Sequence, residues 1–77
     1  MKSNREIFQT KDLVVATYLA YRKIRMTDSW DPATRNWSFD DADGICERLE
    51  LDVRNGDAKV SVLEYEAARK NILSMVK

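Results

Sequence analysis

Residues 11–22, KDLVVATYLAYR, constrain this chain more than any other stretch. Their spacing predicts a helix, with Thr10 as its N-cap and Asp12 in the electropositive first turn. On that helix Leu13, Ala16, Ala20 and Tyr21 fall on one side, and Val15, Tyr18 and Leu19 on the other. A surface helix carries one apolar stripe, so a helix apolar nearly all round has to be covered on both sides. In a chain of 77 residues that cover comes from a sheet, from another helix or from a second copy of the protein. Small domains have few elements with which to wrap a central helix, and at this length one core is only marginally adequate. The expectation is therefore a homo-oligomer, with Val15, Tyr18 and Leu19 as its self-association surface.

After this helix the period changes from 3.6 to 2. Ile24, Met26 and Trp30 occupy even positions, and Trp37 and Phe39 alternate with Asn36, Ser38 and Asp40. Both patterns belong to strands with one buried face. Between them, Asp31-Pro32-Ala33-Thr34 suits a type I turn, with Asp at the first position and Pro at the second. A loop closing symmetrically sets Trp30 opposite Trp37 and Asp28 opposite Phe39, a register that gathers the large apolar side chains on one face. Asp28 is discordant there and marks where that face leaves the core. In this reading the two indoles are core filler before they are a stacking platform.

A second helix is expected over residues 42–54. Ala42, Ile45, Cys46, Leu49 and Val53 recur at helical spacing beside a polar face of Asp43, Glu47, Glu50 and Arg54, while Leu51 points away from the stripe. Asn55-Gly56 stops the helix in the left-handed conformation that Gly tolerates. Residues 57–60 form an extended link and a candidate third edge strand. Ser61-Val62-Leu63-Glu64 has the form of a capping box, with Val60 and Tyr65 placed as its hydrophobic staple. It opens a final helix over 62–76 that buries Tyr65, Ala68, Ile72, Met75 and Val76. Residues 1–9 are a polar arm that docks through Ile7 and Phe8. The whole reads as one α+β domain over residues 10–77, in the order α-β-β-α-(β)-α, with an antiparallel β-hairpin packed on three helices.

Chemistry is excluded more readily than it is assigned. The chain has no histidine, which removes His-based acid–base catalysis, the Ser-His and Cys-His nucleophiles and the usual zinc ligand sets. Cys46, a lone cysteine on an apolar stripe with no basic neighbour, reads as a structural thiol. Asp40, Asp41 and Asp43 before Gly44 resemble part of a calcium loop, but Phe39 stands where the first ligand belongs, and carboxylates at a helix start suit its free N–H groups. No phosphate-cradling glycine loop is present with only Gly44 and Gly56. No enzyme, metal or cofactor is therefore expected. The start MKSNREIF and the rest of the chain lack an apolar run of membrane-spanning length, and the expected location is the cytoplasm.

Net charge is zero, with 13 basic and 13 acidic side chains, so there is no global attraction to polyanions. The distribution is uneven: residues 1–39 carry seven Lys/Arg against four Asp/Glu, and residues 40–77 six against nine. Such a two-toned surface favours a protein partner. The alternative is a small nucleic-acid binder in which Arg22, Lys23, Arg25 and Arg35 neutralise phosphates beside the tryptophans.

Phe8-x-Thr10-x-Asp12-Leu13, the apolar run from Val14 through Leu19, Trp37-Ser38-Phe39-Asp40 and Asn55-Gly56-x-Ala58-x-Val60 together resemble a family of small prokaryotic and phage domains of unknown function. The resemblance covers nearly the whole chain. It departs where such domains tend to have Gly after the first helix and this chain has Arg22 and Lys23. It implies no activity and no site residues. The functional expectation is a non-enzymatic interaction module, self-associating and binding a protein partner, in the manner of a phage or mobile-element accessory protein.

Overall fold

The structure is a computed structural model that describes residues 7–41 and 44–76. Six elements follow one another: β1 (Ile7–Thr10), α1 (Leu13–Tyr21), β2 (Met26–Asp31), β3 (Asn36–Asp40), α2 (Ile45–Asn55) and α3 (Val62–Ser74). The fold is α+β, an antiparallel sheet in the order β1-β3-β2 with the three helices packed on it.

The additional strand lies at the other end of the chain from the one expected. Ile7–Thr10, read from sequence as the end of a polar arm (residues 1–9) and the helix N-cap Thr10, is an edge strand; the first six residues of that arm lie outside the described region. Phe8 sits opposite Phe39 and Thr10 opposite Trp37, so β1 extends the buried face that β3 already presents. Residues 57–60 form no strand because the end of α2 holds them back. The amides of Asp57 and Ala58 both donate to the Asp52 carbonyl, at 2.8 and 3.2 Å, and turn the chain against the helix before it can extend.

The hairpin begins in the expected register and then leaves it. Asp31 pairs with Asn36, consistent with Trp30 across from Trp37, and the two indole rings lie 6.3 Å apart at 51°. Two irregularities in β2 then shift the pairing, so that Asp28 stands opposite Ser38 and Met26 opposite Phe39. Asp28 was expected opposite Phe39. The bulges correct a mismatch that a regular ladder would impose, exchanging an acid for Met26 across from a fully buried ring. The turn is tightened by an Arg35 amide bond to the Asp31 carbonyl (2.6 Å) and by the Ala33 amide donating to the Asp31 carboxylate (2.9 Å).

α1 starts two residues later than expected. Asp12, not Thr10, is its N-cap, accepting from the amides of Val14 and Val15 at 2.9 and 3.3 Å, while the Thr10 hydroxyl accepts from the Asp12 amide. Its far end closes with the Lys23 amide on the Ala20 carbonyl and the Ile24 amide on the Leu19 carbonyl. That is a Schellman motif, and it requires a left-handed residue at Lys23, whose φ is 67°. The turn has the geometry a glycine would favour, held here by a lysine.

α2 begins at Ile45 rather than 42, with Gly44 (φ 68°) preceding it; Ala42 and Asp43 lie outside the described residues. The Asp41 carboxylate reaches in to accept from the Cys46 amide at 2.9 Å, the helix-start role expected of this acidic run. Gly56 (φ 77°) ends α2 in the left-handed conformation, as anticipated. α3 starts at Val62 as expected, but the capping box does not form: the Ser61 side chain makes no cap bond. The backbone N–H that Glu64 would accept in such a box donates to the Tyr21 hydroxyl at 2.9 Å.

The core joins Val15, Ala16, Tyr18 and Leu19 of α1 with Trp37 and Phe39 of β3, Cys46 and Leu49 of α2 and Ile72 of α3. α1 is thereby covered on most of its sides, with Val14 left exposed. No helix of the described residues is long and apolar enough to cross a membrane.

Candidate functional site

The expected self-association surface is not a surface. Val15, Tyr18 and Leu19 are 1%, 3% and 0% exposed, enclosed by the sheet, α2 and α3. The reason is the arrival of β1 and the flanking of α1 by both later helices, which together leave only Val14 of its β-branched residues exposed. Cover sought from a second copy comes from within.

The indoles divide. Trp37 is buried, its Nε1 without a hydrogen-bond partner among the described residues, whereas Trp30 is half-buried at the hairpin's side. A ring enclosed in this way cannot stack on a base, so the filler reading holds for Trp37.

The four cations proposed for nucleic acid are exposed but do not converge. Arg22 lies over the Tyr18 ring, 5.8 Å from its centroid, donates to the Tyr18 hydroxyl at 3.1 Å and opens on a groove shared with Arg48 and Asp52 of α2. Lys23 opens instead on a different groove, of about 480 Å³, between the end of α1 and α3, lined also by Glu64 and Asn71. Arg25 precedes β2, and Arg35 (φ 62°) sits in the turn beyond its other end. A strand of this length holds those two roughly 20 Å apart.

The reactive groups are quiet. Cys46 is fully buried; burial first, then the charge and hydrogen bond of Asp41 and the charge of Asp40, push its thiol from 9.0 up to about 12. Its nucleophilic thiolate is correspondingly disfavoured. Burial also raises the Tyr65 hydroxyl, against a smaller opposing pull from the Thr17 hydroxyl and Arg69. Thr17 Oγ1 itself is buried with no formed hydrogen bond among the described residues. Asp43, part of the acidic run, lies outside the described residues.

What remains is a surface on α3 that sequence reading did not single out. Its inner side carries Ile72, fully buried, with Tyr65, Ala68 and Met75 half-buried against the core. Val62, Leu63 and Leu73 face outward at 70%, 83% and 40% exposure, and Val76, expected in the core, is exposed beside them. For three of them the signal is present in the spacing: Val62, Leu63 and Leu73 do not fall on the stripe set by Tyr65, Ala68, Ile72 and Met75, whereas Val76 does and is exposed beyond the end of α3 at Ser74. Glu66 and Arg69, also exposed, share that outward side and stand 3.9 Å apart.

Comparisons with protein-family models, curated proteins and solved structures give no match for the chain.

Proposed function

We propose that this chain is a small non-enzymatic interaction module that self-associates and binds a protein partner. The observation that carries the reading is the outer side of α3. A helix that leaves Val62, Leu63 and Leu73 in water, while only Val14 of α1's large aliphatic side chains is exposed, forgoes up to about 1.5–3 kcal/mol for each aliphatic side chain it could bury. Val62 and Leu63 are the most exposed large aliphatic side chains among the described residues, and an apolar patch rimmed by charges is the signature of a contact surface. The polarised charge of the two halves of the chain supplies the orientation that a protein partner would read. The resemblance drawn from the sequence supports a setting in phage or a mobile element, where the partner would be a host protein. The buried, unreactive thiol and the absence of histidine support recognition rather than catalysis.

Sedimentation equilibrium of the full chain up to about 1 mM tests the self-association. Growth of the weight-average mass with concentration is expected, and a strict monomer throughout refutes it. The nucleic-acid alternative is separated by titrating labelled single- and double-stranded oligonucleotides at low salt. Because Arg25 and Arg35 stand at opposite ends of the hairpin, no salt-steep binding is expected; tight binding lost in Arg25→Ala would favour the alternative instead.

A further inference from the structure

We infer that the second copy docks through α3 itself, in an antiparallel, two-fold pairing that sets Glu66 against the partner's Arg69. This rests on the self-association reading above and names its surface.

Successive residues of an α-helix are turned by about 100°, so the spacing of Val62, Glu66, Arg69 and Leu73 draws one stripe along α3. The stripe runs roughly a quarter-turn away from the side on which Ile72 and Tyr65 enter the core. All four residues are exposed, so the stripe is free to meet another surface without disturbing the fold. Its order is apolar, acidic, basic, apolar. Read from the opposite end the apolar positions repeat and the charges exchange sign. A surface with that property is complementary to itself when reversed.

A two-fold axis crossing the helix at the level between Ala67 and Ala68 therefore sets Val62 against the partner's Leu73 and Leu73 against the partner's Val62. The same operation places Glu66 by the partner's Arg69 and Arg69 by the partner's Glu66, as an isologous contact requires. Within one chain the Glu66–Arg69 pair is loose, at 3.9 Å and half exposed, so both groups retain capacity for a second charge. Leu63 and Lys70 flank the stripe on one side, where the aliphatic stem of the lysine can cover the leucine of the other copy. Running the helices antiparallel also opposes their dipoles. A parallel pairing would juxtapose like charges at both positions, and like-charge contacts are unfavourable.

One helix face makes an interface at the small end of the range, so the dimer exchanges quickly and its dissociation constant falls on the order of micromolar. The test is sedimentation of the full chain as wild type, as Glu66→Arg, as Arg69→Glu, as an equimolar mixture of those two, and as the double variant Glu66→Arg/Arg69→Glu. Each single variant brings two like-charge pairs into the interface and is expected to weaken dimerisation by roughly tenfold or more. The mixture restores it, because positions 66 and 69 are both basic in one variant and both acidic in the other, so opposite charges meet at both contacts. The double variant restores it with no change of net charge. A wild-type dimer indifferent to the single substitutions, or a mixture no tighter than its components, overturns the α3 pairing while leaving self-association standing. A wild type that remains monomeric overturns both.

Discussion

Lys23 carries the sharpest local tension in the chain. A Schellman turn asks its C′ residue for positive φ, and a side chain with a Cβ meets that request at a cost of about 1 kcal/mol relative to glycine. The structure keeps the turn at φ 67° because the Ile24 amide bond to Leu19, at 3.0 Å, and the seating of Ile24 against the core both depend on it. Lys23→Gly is accordingly expected to raise stability by about 0.5–1 kcal/mol, the relief of strain exceeding the added freedom of the unfolded chain; urea denaturation reads it directly, and a loss of stability would contradict the strain. Cys46 makes a different prediction. Its unfolded thiol ionises near 9.0 and its folded thiol only near about 12, so the unfolded state releases its proton first as pH rises. The contribution of the buried neutral thiol is complete below about pH 9 and is lost between there and about pH 12, at no more than about 1.4 kcal/mol per pH unit. Cys46→Ala leaves a small cavity, at a cost of about 1 kcal/mol, and should show a shallower alkaline fall in its urea midpoint than the wild type.

Among the elements, the start of α3 shows how a local motif is overruled. Ser61-x-x-Glu64 has the residues of a capping box, yet the Ser61 N–H is taken by the Tyr21 hydroxyl. That hydroxyl belongs to a ring in contact with Tyr18, 6.1 Å away, and with Tyr65, 6.3 Å away. The bond thus fastens the first turn of α3 to the last turn of α1 and fixes how the two helices cross. Removing the hydroxyl by Tyr21→Phe leaves the Ser61 amide without its acceptor, for an expected loss of about 1 kcal/mol. Glu64→Ala, which would cost as much if the box operated, is expected to change stability by less than about 0.5 kcal/mol. Thermal melts of the two variants side by side decide between them, and the reverse order would show that the box is the working cap. The helical character of α1 is legible in its residues but its start is not; the N-cap moves from Thr10 to Asp12 because Thr10 is committed to β1 opposite Trp37.

For the whole molecule, the question is whether one copy completes the structure. Enclosing α1 consumed the sheet and the inner sides of α2 and α3, and it left the outer side of α3 bare. If that side meets its copy, assembly and folding are linked, since anything that binds only the folded state raises its stability. The Tm of the wild type is therefore expected to climb as protein concentration increases, while that of Arg69→Glu begins to climb only at a roughly tenfold or more higher concentration. Equal and flat midpoints for the two chains across the same range would contradict the linkage. The sequence-based expectation of self-association rests on Val15, Tyr18 and Leu19, residues that fold inward, and the most exposed aliphatic side chains are instead Val62 and Leu63.

Periodicity and backbone chemistry determined much by themselves: the α+β class, an apolar helix that had to be wrapped, a hairpin closing at Asp31 and Asn36, and a stop at Gly56. Each of these depends on neighbours within a turn or two of the chain, where residue type and spacing act directly. Tertiary structure decided who does the wrapping. It drew β1 out of a polar arm, slipped β2 by two bulges to bring Met26 across from Phe39, and handed the Ser61 amide to Tyr21. Those outcomes depend on groups far apart in sequence, such as the 40 residues between Tyr21 and Ser61. Helical spacing states how many sides of an element are apolar, but the element that meets each side is chosen only when the competing surfaces of the folded chain are packed together.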